Sequence, residues 1–126
     1  MRRVIPILLV AAGGALGAVA RYLVALAFAQ RLGVNWPWGT LFINVSGCVL
    51  ISLFLGAGSA RIAESNLRYL LPIGFVGAYT TFSTYEYEMA GLMEVGAYAR
   101  LAAYFVLSNG VGFAAVVGGI WLGRRA

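Results

Sequence analysis

Four long apolar stretches separated by short polar intervals set the pattern of this chain. Residues 4–29, 37–58, 70–94 and 97–122 are each predominantly apolar, and each is long enough to cross a ~30 Å hydrocarbon core with some tilt. The pattern predicts an all-α membrane protein: a single domain, residues 1–126, with four transmembrane helices. The chain opens Met1-Arg2-Arg3, as a secretory signal does. Its first apolar run is too long for one and comparable runs follow, so the segment is expected to be retained. Pro6 and Pro72 fall in first turns, where a missing N–H costs little. Trp36-Pro37-Trp38-Gly39 sets two tryptophans at an interface and a proline at the mouth of the second helix. Residues 59–69, with Arg61, Glu64 and Arg68, read as an exposed connection holding one short amphipathic turn.

The third stretch breaks the pattern. Residues 74–88 read GFVGAYTTFSTYEYE, with Gly74 and Gly77 ahead of Thr80, Thr81, Ser83 and Thr84, interleaved with Phe82 and Tyr85. Glycines and β-branched threonines make a poor continuous helix, yet in lipid every backbone N–H and C=O needs a partner. A helix broken near its middle is expected, its open groups met by a neighbouring helix, by side-chain hydroxyls, or by an ion held where carbonyls turn inward.

Polar positions elsewhere divide into packing and chemistry. Gly13 and Gly17, with Gly14 and Ala18 beside them, form a small-residue surface for close helix approach. Thr40, Asn44 and Gly47 share one face of the second helix. Asn44 reads either as interhelical glue or as a donor to an anion, while Ser46 and Ser52 are expected to bond back to their own helix. Tyr104, Ser108 and Gly112 fall on one stripe of the fourth helix, a packing face or a pathway wall; Asn109 lies about 100° round from Ser108. Arg21 sits well inside the first stretch and either snorkels or pairs with Glu88 or Glu86, which, counted along antiparallel spans, fall at about the same depth and toward the same face.

Composition then narrows the function. The chain is 62% hydrophobic and 10% charged, with a mean hydropathy of +0.88. It has no histidine and one cysteine, Cys48, so an intrachain disulfide, a Cys/His metal cluster and an imidazole-activated nucleophile are all excluded. No catalytic residue and no organic cofactor is expected: the protein is not an enzyme. The nine basic residues are all arginine. Apart from Arg21 they sit at span ends or in the connections between spans, which the positive-inside rule explains better than nucleic-acid binding does. Spans of this size enclose no roomy cavity, so a pathway is expected at an interface between copies. Its lining would be hydroxyls, an amide and aromatic edges, whose partial positive charge can replace part of an anion's hydration shell without trapping it.

These pieces resemble the fluoride ion channel family, Fluc or CrcB: GGALGAVARY at 13–22, WPWGTLFINVSG at 36–47, GFVGAYTTFSTYEYE at 74–88, and Tyr104 with Ser108. The resemblance implies a passive fluoride channel that exports cytoplasmic fluoride, built as an antiparallel dimer with two pores lined by both subunits. It implies that Phe82 and Tyr85 offer ring edges to fluoride and that Asn44, Ser108, Tyr104 and Thr40 line the pore. Thr81, Ser83, Thr84 and Glu88 would form a polar track beside it. It further implies a central structural Na⁺ held by carbonyls of Gly77 and Thr80 from both subunits. Three positions depart from the family's usual pattern. Tyr85 replaces a second phenylalanine and adds a phenol; Ala78 stands where glycine is frequent. Glu86 stands where a small or hydroxyl residue is common, and its charge would hinder conduction if it faced the pore.

Charge asymmetry bears on assembly. Arg2, Arg3, Arg61, Arg68, Arg124 and Arg125 lie on the side of the termini, against Arg31 and Arg100 in loops on the other. This predicts a multi-pass protein of the inner (plasma) membrane with both termini cytoplasmic. Its partner is either an identical copy inserted the other way or an oppositely oriented homologue. Two other functions compete: a small proton-coupled multidrug exporter using Glu86 or Glu88 as a membrane-embedded carboxylate, and an accessory subunit with no ordered polar track.

Overall fold

A computed structural model describes residues 4–56 and 59–125. Arg2 and Arg3 of the charge asymmetry, and the last two residues of the second expected span, lie outside the described residues. Among those described, every regular element is helical.

The first helix, Val4–Leu32, runs about a turn beyond the expected end at residue 29. Gly33, at φ +75°, turns the chain out of it, a conformation that glycine adopts without steric cost. The second helix, Trp38–Gly56, begins at the Trp-Pro-Trp signal. A short helix, Ser59–Glu64, occupies the polar interval. The third apolar stretch is divided. Tyr69–Val76 is wound as a π-helix and Gly77–Tyr79 continues it; Thr80 (φ −77°, ψ 158°) and Thr81 (φ −148°, ψ 118°) are extended, and a helix resumes over Phe82–Glu94. Gly96, at φ +70°, makes the next turn. The last helix, Tyr98–Gly123, contains a widened π-turn over Leu107–Val111.

Three of these helices, Val4–Leu32, Trp38–Gly56 and Tyr98–Gly123, are long and apolar enough to cross a membrane. Large side chains such as Ile7, Leu16, Phe105 and Phe113 stand exposed along them, the disposition of helices solvated by lipid rather than by water.

Small residues set the packing. The first helix lies along the 69–79 segment. A methyl on Gly13 would overlap the Leu70 carbonyl oxygen, and one on Gly17 the Phe75 carbonyl oxygen; Gly14 has open space beside it. The smooth surface expected from the sequence is therefore the Gly13–Gly17 line. The second helix packs on residues 112–123, where Gly119 accommodates Ser52 and Gly56 approaches the backbone of Ile120. Ser52 Oγ returns to the Val49 carbonyl at 2.8 Å and Ser46 Oγ to Ile43 at 3.1 Å, the back-bonding expected of them.

The first helix keeps to the 69–79 side of the third stretch. Arg21 is half-buried there and, among the described residues, forms no pair with Glu86 or Glu88. Depth counting had placed the charges level; the carboxylate of Glu88 is instead taken by hydroxyls.

Candidate functional site

The extended Thr80–Thr81 stretch organises the site, because it removes the backbone from its ladder. Asn44, one turn from Gly47 on the second helix, meets both open groups of Thr81. Its Oδ1 accepts from the Thr81 N–H at 2.8 Å and its Nδ2 donates to the Thr81 carbonyl at 2.9 Å. Of the two sequence readings of Asn44, interhelical glue describes these bonds, with a backbone segment as the object glued. Gly47 leaves room for the Thr80 methyl. Thr81 in turn starts the next helix. Its Oγ1 accepts from the Thr84 N–H at 3.2 Å and donates to Thr84 Oγ1 at 3.0 Å, with Ser83 Oγ at 3.5 Å, a side-chain cap that satisfies one of the open amides of a helix start.

Two carbonyls lose their helical donors as a result. In a continuous helix the Gly77 carbonyl would receive the Thr81 N–H and the Thr80 carbonyl the Thr84 N–H. Those donors go to Asn44 Oδ1 and Thr81 Oγ1.

Beside this stretch lies a cavity of about 430 Å³, bordered by Asn44, Gly77, Thr80, Thr81, Phe82, Tyr85, Ser108 and Asn109 among others. Its lining carries no charged side chain among the described residues. Phe82 is 74% exposed and Tyr85 4%, their ring centroids 6.0 Å apart. Ser108 Oγ is buried and has no hydrogen-bond partner among the described residues. Asn109 Nδ2 donates to Tyr85 Oη at 2.8 Å.

A second cavity of about 680 Å³ is lined by Trp36, Trp38, Thr40, Glu88 and Arg100 among others. Thr40 Oγ1 donates to Glu88 Oε1 at 2.8 Å and Tyr104 Oη to Oε2 at 2.7 Å. Trp36 Nε1 is buried without a hydrogen-bond partner among the described residues. Tyr104 is fully buried and meets both linings, edge-on to Tyr85 at 5.1 Å and to Trp36 at 5.9 Å.

The expected site residues thus separate into groups. Phe82, Tyr85, Asn44, Ser108, Thr81, Gly77 and Thr80 border one cavity, and Thr40 and Glu88 the other, with Tyr104 packed between. Ser83 and Thr84 are exposed beside Thr81, Glu86 is exposed outside both linings, and Arg21 belongs to neither. Asn109 went unassigned from the sequence because an ideal helix turns it away from Ser108. The π-turn over Leu107–Val111 sets both on the same cavity wall. A tyrosine at 85, whose hydroxyl needs a partner once buried, was the available signal.

An interrupted helical stretch, an amide on its backbone and paired aromatic rings over an uncharged cavity form a specific combination, and residues 8–120 match the family model described as CrcB-like protein, Camphor Resistance (CrcB). The chain belongs to the CrcB family. Several relatives carry the name Fluoride-specific ion channel FluC. That of Nitrobacter winogradskyi is 47% identical over 119 residues, covering 94% of each chain. That of Acidobacterium capsulatum is 46% identical over 117 residues, covering 92% of this chain and 94% of its own, and that of Rhizobium meliloti 44% over 119, covering 94% and 95%. Its apolar helices and its CrcB membership make the chain a multi-pass membrane protein.

Proposed function

We propose that this CrcB-family chain is a passive, fluoride-selective channel of the plasma membrane, not an enzyme, and that it exports cytoplasmic fluoride. The observation that carries the reading is Ser108 Oγ, a buried hydroxyl without a protein partner in an uncharged cavity beside Phe82 and Tyr85. A hydroxyl and two ring edges supply partial positive charge to a small anion, and the absence of a cation from the lining lets it leave again. Export needs no coupling, since each anion leaving a negative interior gains roughly 2.3 kcal/mol per 100 mV.

In this reading the 69–94 segment crosses the bilayer as one broken span, the third of four. An antiparallel partner, identical or an oppositely oriented homologue, closes the cavity into a pore, with both termini of this chain in the cytoplasm. Phe82, Tyr85, Ser108, Asn44, Tyr104 and Thr40 line that pore, and Thr81, Ser83, Thr84 and Glu88 border it. The Gly77 and Thr80 carbonyls, deprived of their helical donors, fit a structural Na⁺, because carbonyl oxygens suit a hard monovalent cation. Arg21 keeps a structural role. A proton-coupled exporter is less well supported, because both Glu88 oxygens already accept hydroxyl protons.

The test is efflux from liposomes holding this chain purified alone, under a K⁺ gradient with valinomycin. Rapid loss of fluoride without loss of chloride is expected. Well-folded protein that releases no fluoride, alone or coexpressed with an oppositely biased relative, overturns the proposal.

A further inference from the structure

The phenol of Tyr85 gives the first cavity a polar group that the ring alone does not account for. Asn109 Nδ2 lies 2.8 Å from Tyr85 Oη and 2.9 Å from the Phe105 carbonyl oxygen. A carbonyl oxygen only accepts, so the nitrogen end of the amide faces Phe105, and its two hydrogens go one to each oxygen. Tyr85 Oη is therefore the acceptor of that pair. Its own hydrogen points elsewhere, and among the described residues no acceptor receives it. The ring is 4% exposed, packed edge-on against Tyr104, and borders the cavity with Phe82 and Ser108. Asn109 reaches it only because the chain widens into a π-turn over Leu107–Val111, a distortion frequent at functional sites.

We infer that Asn109 is a positioning residue: by occupying the acceptor side of Tyr85 Oη it turns the phenol hydrogen toward the cavity, so that position 85 offers an anion an O–H donor as well as a ring edge. This rests on the fluoride-channel reading. Two hydroxyl donors then face the same space, Tyr85 and the unpartnered Ser108. Both reward the small, strongly hydrogen-bonding anion over larger ones. The residue acts through Tyr85 and not on the ion, so its effect depends on that hydroxyl being present.

That dependence is the test. The concentration of fluoride giving half-maximal flux is measured in proteoliposomes for the parent, Tyr85→Phe, Asn109→Ala and the double variant, each checked for an unchanged elution volume. Loss of one hydrogen bond to a charged partner is worth about tenfold in affinity. Tyr85→Phe is expected to raise half-saturation by about that factor, and Asn109→Ala by about threefold or more, since the phenol then rotates freely. When Tyr85→Phe is already present, the further effect of Asn109→Ala is expected to fall below about twofold. Asn109 is exposed, so its truncation is compatible with folding; should it still fail to fold, Asn109→Ser is carried through the same cycle. Equal shifts from the Asn109 substitution in both backgrounds, or no shift from Tyr85→Phe, overturn the inference while leaving the channel reading standing. A parent protein with no fluoride flux overturns both.

Discussion

Replacing Asn44 by alanine removes the partners of both backbone groups of one residue, Thr81, in the least regular part of the chain. Asn44 accepts the Thr81 N–H at 2.8 Å and donates to the Thr81 carbonyl at 2.9 Å. Each buried backbone group left unmatched costs about 1–3 kcal/mol, so the pair sets a ceiling near 6 kcal/mol. The adjoining cavity of about 430 Å³ is roomy enough to admit water, which recovers part of that loss. A net destabilisation of about 2–4 kcal/mol is expected. At roughly 4 °C per kcal/mol for a chain of this size, the unfolding midpoint in detergent drops by about 8–16 °C. Asn44→Asp separates geometry from hydrogen bonding, because it keeps the shape and the acceptor but sets a carboxylate oxygen against the Thr81 carbonyl. It is expected to melt no higher than the alanine variant. Scanning fluorimetry of the purified proteins reads both. An alanine variant melting within about 1 °C of the parent refutes the reasoning: the extended residues would then be held by something other than this amide.

Ser108→Ala removes no protein hydrogen bond, so its melting point is expected to stay within about 2 °C of the parent while fluoride flux falls about tenfold; a lower melting point with intact flux contradicts the role given to it. Gly17→Ala forces a methyl into the Phe75 carbonyl and is expected to cost about 1–3 kcal/mol, whereas Gly14→Ala meets open space and is neutral or stabilising; equal melting points for the two would show that the first helix does not pack as described. Glu88→Gln keeps an acceptor for one of Thr40 and Tyr104 and is expected to retain measurable fluoride flux; loss of all transport would favour coupled export. Exchanging Na⁺ for N-methylglucamine is expected to lower the melting point, since a cation at about 100 times its Kd adds about 2.7 kcal/mol; no dependence on Na⁺ at any concentration argues against the carbonyl site.

Local composition carried much of this architecture. Glycines at 13 and 17, the Trp-Pro-Trp start and the glycine-threonine run each act on their own immediate surroundings, so the first-helix contact, the second-helix boundary and the unusual third stretch were all readable. Thr40, Asn44 and Gly47 were also placed on one face correctly, because helical spacing is a local property; Asn44 and Gly47 now meet Thr81 and Thr80. What failed depended on which neighbour each face meets, or on irregular winding. The pairing of Arg21 with Glu88 or Glu86, one of two alternatives and expected from a shared depth and face, does not form among the described residues, and two hydroxyls take the Glu88 carboxylate. Asn109 was set aside because an ideal helix was assumed where the chain is π-wound.

Hydrogen bonds divide the polar residues of the site into those that hold the protein and those whose hydrogens no protein acceptor takes among the described residues. Thr80 Oγ1 returns to the Val76 carbonyl at 3.0 Å, Thr81 caps the helix that follows it, and Asn44 is committed to Thr81 through its oxygen and one amide hydrogen. Thr40 and Tyr104 are committed to Glu88. Among the described residues, Ser108 Oγ–H and the Tyr85 phenol hydrogen on the first cavity have no protein acceptor, nor has Trp36 Nε1–H on the second; Asn44 keeps one amide hydrogen on the first cavity, and Arg100 keeps N–H groups on the second. Tyr104 lies between the aromatic members of that set, touching Tyr85 on one side and Trp36 on the other. An anion in the first cavity would therefore meet sparse, uncharged donors beside ring edges. Such a surface binds weakly at several points and strongly at none, which is the condition for fast passage. The hydroxyls of Thr40, Thr80, Thr81 and Tyr104 would not slow an ion, because their hydrogens already point at protein.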